Sequence, residues 1–197
     1  PKDQRAFPEA SGAPPRPPTQ HGPENSPDSL RWPQSLPKAL ALFDAGYKSL
    51  AVMFPVVRTI EDLQRALEIL KEEGLERGRD GLKVGMMVEI PINAIEVEQF
   101  LEEVDFFSIG TNDLTQSTLA VGREDEALQE LFDASNPAVF RQIARVITKA
   151  HEQGKKVGFC GQQPSNDPQF AAMLVEAGID EIGVAPDAYA PTVRAVH

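Results

Sequence analysis

The sequence is short of cysteine, of cations and of aromatic residues. A single cysteine, Cys160, can form no internal disulfide, which excludes a disulfide-stapled scaffold and leaves a free thiol. Lysine and arginine number 19 against 30 acidic residues, a formal net charge of -11, so the basic footprint that nucleic acid or an anionic membrane requires is missing. No apolar run approaches the roughly 20 residues of a membrane span. No basic-plus-apolar leader opens the chain. A soluble, cytoplasmic protein without nucleic-acid or membrane partners is the expectation. Histidine is scarce too: His21, His151 and His197 fall in a tail, on a helix and at the terminus, and none has a catalytic setting.

What the chain does have is 197 residues, 41% of them hydrophobic, enough for one sizeable domain. Its two parts are unlike. Residues 1–37 hold ten of the 17 prolines and few apolar residues beyond Phe7, Leu30, Trp32 and Leu36. Such a segment buries too little to offset its ordering entropy and reads as a disordered or polyproline-like extension. The globular part is expected over 38–197.

There, apolar runs alternate with helical patterns. "SLAVMFPVV" reads as a strand; "TIEDLQRALEILKEEG" opens on a Thr N-cap, spaces Ile60, Leu63, Leu67 and Leu70 as a helix does, and closes on Gly74. "KVGMMVEIP", "DFFSIGTND", "KKVGFCG" and "DEIGVAP" are the next strands, separated by the helical stretches "NAIEVEQFLEEV", "NPAVFRQIARVITKAHEQG" and "PQFAAMLVEAG"; "DAYAPTVRAVH" reads as a closing helix. Apolar strands each followed by an amphipathic helix make an α/β fold with a parallel sheet. A doubly wound sheet and a (β/α) barrel both satisfy the pattern. Arg58, Glu89, Asn112, Asp113 and Cys160 all fall at or just after a strand's end, where barrels carry their chemistry. That placement favours the barrel, although five strands are too few to close one.

Glu89, taken alone, is as well read as a strand-end carboxylate that caps a helix or meets a lysine, and Asp113 as an Asx turn or cap. Together they stand at the carboxyl ends of adjacent parallel strands, about 5 Å apart at the backbone. That spacing lets both reach one hard cation such as Mg²⁺, with room for water and a substrate oxygen. Cys160 is by default a small core residue. Its neighbours Gly158 and Gly161 permit close backbone approach, however; Gly161 can offer its N–H to a ligand, and the thiol can exchange a proton. Arg123, by default a surface cation, lies in a connection that could fold back over the site and grip a phosphate or carboxylate.

The stretches "MMVEIP", "FFSIGTNDLTQSTLAVGR", "NPAV" and "VGFCGQQPSNDP" resemble the carboxyl-terminal barrel of the phosphoenolpyruvate (PEP)-utilising phosphotransferases: PEP synthase, pyruvate phosphate dikinase and enzyme I of the sugar phosphotransferase system. The resemblance spans about 50–193. "MFPVVRT", "EIPINA" and "CGQQPSNDP" look most like the synthase; the other two typically carry Glu where this chain has Gln162. The resemblance implies Glu89 and Asp113 as Mg²⁺ ligands, Asn112 as a contact to the substrate's phosphate, and Arg123 as an anion grip. It implies Cys160 as the group exchanging a proton at the methylene carbon of pyruvate enolate. In that chemistry Mg²⁺ stabilises the enolate oxygen while a phosphoryl group passes to or from a histidine.

The part that matches corresponds to the family barrel's fourth to eighth strands, a partial barrel. Three earlier strands with two further arginines have no counterpart in residues 1–37, nor do the phospho-histidine and nucleotide-binding domains. PEP carries about -3 near neutrality, so Arg123 alone leaves anionic charge uncompensated and weak PEP binding is expected. The exposed sheet edges suggest a homo-oligomer, or an edge covered by the proline-rich segment. Three functional readings follow: the substrate-binding piece of a synthase-like phosphotransferase (pyruvate, water dikinase type); a truncated binding or assembly module, or an enzyme I-type fragment; and, less well matched, another Mg²⁺-enolate barrel such as an aldolase or lyase.

Overall fold

A computed structural model describes residues 36–47 and 49–196. The proline-rich reading of residues 1–37 therefore falls, except for its last two positions, outside the described residues.

The elements follow in chain order: α1 (Leu36–Asp44), β1 (Ala51–Phe54), α2 (Ile60–Glu72), β2 (Lys83–Val88), α3 (Pro91–Ile95), α4 (Val97–Glu103), β3 (Phe106–Ile109), α5 (Thr111–Leu119), α6 (Pro137–Glu152), β4 (Lys156–Phe159), α7 (Gln163–Asn166), α8 (Pro168–Glu176), β5 (Glu181–Ile182) and α9 (Tyr189–Val196). All pairings are parallel and the strands lie side by side in chain order, β1-β2-β3-β4-β5. A doubly wound sheet reverses its strand order at a switch point; this sheet does not.

Local chemistry sets the helix starts. Thr59 Oγ1 accepts the Asp62 N–H (3.1 Å) ahead of α2, Asn136 Oδ1 accepts the Ala138 N–H (2.9 Å) ahead of α6, and Asp167 Oδ1 accepts the Gln169 N–H (2.9 Å) ahead of α8. Each cap satisfies an orphan donor. In α6 and α8 a proline takes the first turn, where its missing N–H costs nothing.

The core lies between one face of the sheet and its helices. Val84, Met86 and Val88 of β2, Phe107 and Ile109 of β3 and Val157 of β4 are wholly buried, as are Val139, Ile143, Val146, Ile147 and Ala150, the apolar stripe of α6. Each buried aliphatic chain of this size contributes about 1.5–3 kcal/mol. On the other face Met53 is exposed and Met87, Phe106 and Gly158 are half-buried. The Phe106 ring lies flat over Gly85, where an added Cβ would come within 2.4 Å of it.

Two aspartates stitch the sheet's amino edge in the same way. Asp105, just before β3, accepts the Val84 N–H on Oδ2 (2.8 Å) and donates its own N–H to the Val84 carbonyl. Asp180, just before β5, accepts the Val157 N–H on Oδ2 (2.8 Å) and donates to the Val157 carbonyl. Each carboxylate has a side-chain partner: Arg77 Nε at 2.8 Å from Asp105, His151 Nε2 at 2.9 Å from Asp180. Arg77 also donates to the Glu102 and Val104 carbonyls at 3.0 and 3.1 Å. Burial pushes the Asp180 carboxyl up, but the His151 bond, the Val157 N–H and the nearby Lys156 outweigh it and hold the group below its ordinary value.

Several elements are shorter than the sequence suggests; of the expected strand "DEIGVAP" only Glu181–Ile182 pairs. β1 stops at Phe54 because Pro55 has no N–H to give and Val56 turns to φ 50°. The "NAIEVEQFLEEV" helix is two, α3 and α4, broken at Glu96.

Candidate functional site at the carboxyl edge of the sheet

β2 delivers Glu89 into the interior; only 3% of it remains exposed. Its Oε1 accepts the Val56 N–H at 2.6 Å. This is neither a helix cap nor a lysine contact, the two ordinary roles the sequence allowed. Val56 is β-branched and sits at φ 50°, a left-handed conformation that costs an L-residue about 1–2 kcal/mol. The carboxyl oxygen that accepts its N–H helps to hold it there. Burial pushes the Glu89 carboxyl above its ordinary value; the negative charge of Asp113 adds to that, and the Val56 N–H opposes it.

β3 ends at Gly110, the N-cap of α5, which has no side chain to satisfy the first N–H groups of the helix. The first helical bond there runs from the Leu114 N–H to the Gly110 carbonyl, so the N–H groups of Thr111, Asn112 and Asp113 precede the ladder. A Cβ on Gly110 would stand 2.9 Å from the Met87 methyl and 3.3 Å from Glu89 Oε2. The missing side chain lets the Met87 methyl and the second Glu89 oxygen pack closely against the start of α5.

Asn112 is half-buried and Asp113 exposed in the first turn of that helix. Beyond α5, Ala120 adopts φ 54° and the chain doubles back. The Arg123 N–H then donates to Gln116 Oε1 (3.4 Å), and Arg123 Nη2 comes to 3.4 Å from Asp113 Oδ1. With about half of each side chain exposed (49% and 55%), this pair contributes about 0–1 kcal/mol to stability. It does place the guanidinium at the sheet edge.

β4 ends in Cys160, whose N–H and Sγ both point to the Ile109 carbonyl, at 3.1 and 3.5 Å, while the residue stays exposed. Gly161 packs so closely that a Cβ on it would lie 2.8 Å from Thr111 Oγ1 and 2.9 Å from the Phe159 ring. The hydroxyls of Thr111 and Thr115 are buried without a hydrogen-bond partner.

Asp113 and Arg123 thus meet, Glu89 feels the Asp113 charge, and Gly161 abuts Thr111 at the head of α5. Arg58 goes elsewhere: with Thr59, Ile92, Glu96 and Gln99 it lines a groove of about 260 Å³. His151 serves Asp180 at the other edge. Among the described residues no three histidine, cysteine or acidic side chains gather as a metal cluster. The donors at this edge are two carboxylates, Glu89 buried and Asp113 exposed, oxygen ligands of the kind that suits a hard cation keeping water or substrate oxygens in its other positions.

The sequence reading missed Asn93 and Val56. Asn93 is wholly buried in α3; its Oδ1 accepts the N–H groups of Glu89 and Ile90, both at 3.2 Å, and its amide donates to the Val57 carbonyl at 2.8 Å. A polar residue two places after Pro91, inside an otherwise apolar run, was the available signal.

Residues 34–197 match the family described as PEP-utilising enzyme, PEP-binding domain. Similar proteins include phosphoenolpyruvate synthases from Escherichia coli (strain K12), 46% identical over 149 residues, and from Aeropyrum pernix, 50% identical over 153. These alignments take in 76% and 77% of this chain but 19% and 18% of the relatives. The chain therefore spans about a fifth of the length of the curated relatives it matches. Among solved structures, an HpcH/HpaI aldolase/citrate lyase family protein from Burkholderia cenocepacia J2315 superposes with TM-score 0.52 at 23% identity, over 78% of this chain and 64% of that one. An HpcH/HpaI aldolase from Desulfitobacterium hafniense DCB-2 gives 0.53 at 16%, over 81% and 66%. At these identities the likeness is one of fold, an α/β architecture on a parallel sheet. The motifs at three strand ends and the family match agree: the chain belongs to the PEP-utilising enzymes, within their PEP-binding domain.

Proposed function

We propose that residues 34–197 are the PEP- and pyruvate-binding part of a synthase-like phosphotransferase, built as a section of (β/α) barrel equivalent to about its fourth to eighth strands. The observation that carries this reading is the convergence at one sheet edge. A buried Glu89 is oriented by the Val56 N–H, its second oxygen lies close to Gly110, and Asp113 and Arg123 stand in contact at the head of α5.

In this reading Glu89 and Asp113 hold Mg²⁺, which when bound supplies positive charge to the enolate oxygen and the phosphate. The chain's own residues do the rest. The N–H groups of Thr111, Asn112 and Asp113, at the positive end of α5, face an anionic substrate, with the Asn112 amide beside them. Arg123 donates to the same anion once it turns from Asp113. Cys160, exposed next to the small Gly161, gives or takes the proton at the methylene carbon. The phosphoryl group passes to or from a phospho-histidine on another domain, and a nucleotide-binding domain completes the reaction. The setting is cytoplasmic; among the described residues no helix is long and apolar enough to cross a membrane.

A second reading, a non-catalytic binding or assembly module, draws on the scarcity of cations: Arg123 is committed to Asp113 and Arg58 lines a separate groove. An enzyme I-type phosphotransferase is less well supported because Gln162 stands where that group has Glu. In either reading β1 and β5 pair on one side only among the described strands, which suits a homo-oligomer or further barrel strands.

The discriminating experiment is exchange of pyruvate methyl protons in deuterated buffer with Mg²⁺, followed by NMR. The catalytic reading expects exchange in the wild type and its loss in Cys160→Ala. Exchange that is absent from the wild type, or indifferent to Cys160, favours the module.

A further inference from the structure

Asn93 does more than cap a helix. A cap at this position needs only the bond from the Ile90 N–H, yet the Asn93 oxygen also takes the Glu89 N–H, and its amide nitrogen reaches out of α3 to the Val57 carbonyl in the loop after β1. The Glu89 carboxylate returns across the same gap to the Val56 N–H. These bonds close a ring: Val56 N–H to the Glu89 side chain, Glu89 N–H to the Asn93 side chain, Asn93 to Val57, and one peptide back to Val56. The two cross-links join positions 33 and 36 residues apart in the chain. Few side chains meet that demand. Aspartate offers the acceptor without the donor, alanine offers neither, and a longer amide shifts both.

The surroundings hold Asn93 still. It is wholly buried, and α3 is gripped from outside by Arg145, whose Nε donates to the Ala94 carbonyl at 2.8 Å while Nη2 meets Glu98 at 2.8 Å. Within this frame one Glu89 oxygen is tied to Val56 and the other is left over Gly110.

We infer that Asn93 is the positioning residue of the carboxyl-edge site: it locks the loop of residues 55–58 against Glu89, so that the second carboxylate oxygen is held beside Gly110 at the head of α5 before any ligand arrives. The consequence for metal affinity rests on the reading of Glu89 as a Mg²⁺ ligand; the consequence for the loop does not.

The test uses the full chain with Asn93→Ala and Asn93→Asp, and two readouts. The first is hydrogen exchange of the Val56 amide relative to the core amides of Met86 and Ile109. Asn93→Asp keeps the acceptor that caps α3, so it preserves the fold while releasing Val57. Both variants are expected to speed Val56 exchange selectively. The second is calorimetric titration with Mg²⁺ alone, where Asn93→Ala is expected to weaken binding about 10–100-fold, as loss of a residue that orients a ligand does. Unchanged Val56 protection in both variants overturns the inference. So does an unchanged Mg²⁺ affinity in Asn93→Ala when Glu89→Gln abolishes binding. If the wild type binds no Mg²⁺, the metal reading falls, and the exchange result alone decides the role of Asn93.

Discussion

Glu89 is a place where stability and function pull apart, and a pair of substitutions separates them. Its carboxyl is raised chiefly by burial and further by Asp113. The folded state therefore holds this proton more tightly than the unfolded chain does. A group raised in this way contributes stability that is fully present below its ordinary value of 4.5 and is lost as pH rises through its folded value. Without divalent cations, ionisation of Glu89 thus works against folding as pH rises through the folded value. Glu89→Gln keeps an oxygen for the Val56 N–H and removes the charge, so the variant should be more stable than the wild type at pH 7.5, and the gain should vanish on acidification. Glu89→Ala removes the acceptor of the part-buried Val56 N–H, which costs about 0.5–1.5 kcal/mol relative to Glu89→Gln at any pH. Urea denaturation of the three proteins between pH 4 and 8 measures both differences. Mg²⁺ should shift the difference in favour of the wild type: at ten times its dissociation constant it adds about 1.4 kcal/mol to the wild type and nothing to Glu89→Gln. A Glu89→Gln variant less stable than the wild type at pH 7.5 without metal, or a difference independent of pH, would refute this reasoning.

Other predictions concern the two sheet edges. Arg77→Ala removes three hydrogen bonds that brace Asp105 and the end of α4 and should cost about 1–3 kcal/mol in urea denaturation. Asp180 is held below its ordinary value of 3.8, so its contribution is present above that value and lost as pH falls through the lower folded one; acid should destabilise the wild type more than Asp180→Asn. Gly161→Ala drives a Cβ against Thr111 Oγ1 and the Phe159 ring and should cost about 1–3 kcal/mol by thermal melting while narrowing the cleft. Calorimetry with PEP and Mg²⁺ should show no binding tighter than about 0.1 mM, since Arg123 is the cation that reaches this edge; micromolar affinity would contradict the charge argument.

Much of the sheet was legible because its strands are apolar runs that stop abruptly at polar residues, and because Thr59, Asn136 and Asp167 announce their helices with side chains that cap locally. That Arg123 returns towards the site was legible, since a short connection follows α5, but its ion pair with Asp113 was not foreseen. What stayed hidden depends on partners far along the chain. Nothing near Val56 shows that Glu89 will take its N–H, and nothing near Asn93 shows that Val57 will need a donor. The break at Glu96 is equally non-local: Arg145, about 50 residues later, takes up the carbonyls that end α3. Asp105 and Asp180 stand in the sequence only as the first residues of apolar runs, and only the sheet reveals that each fastens the neighbouring strand.

The central claim is that Glu89 and Asp113 share one hard cation at the head of α5. Mn²⁺, substituted for Mg²⁺ in trace amounts, broadens amide NMR signals close to where it binds, and so reads the site directly. The account predicts selective broadening at residues 89–90 and 110–113, abolished in Asp113→Asn. Broadening centred instead on the exposed acidic run Glu124–Asp125–Glu126, or unaffected by that substitution, would contradict it.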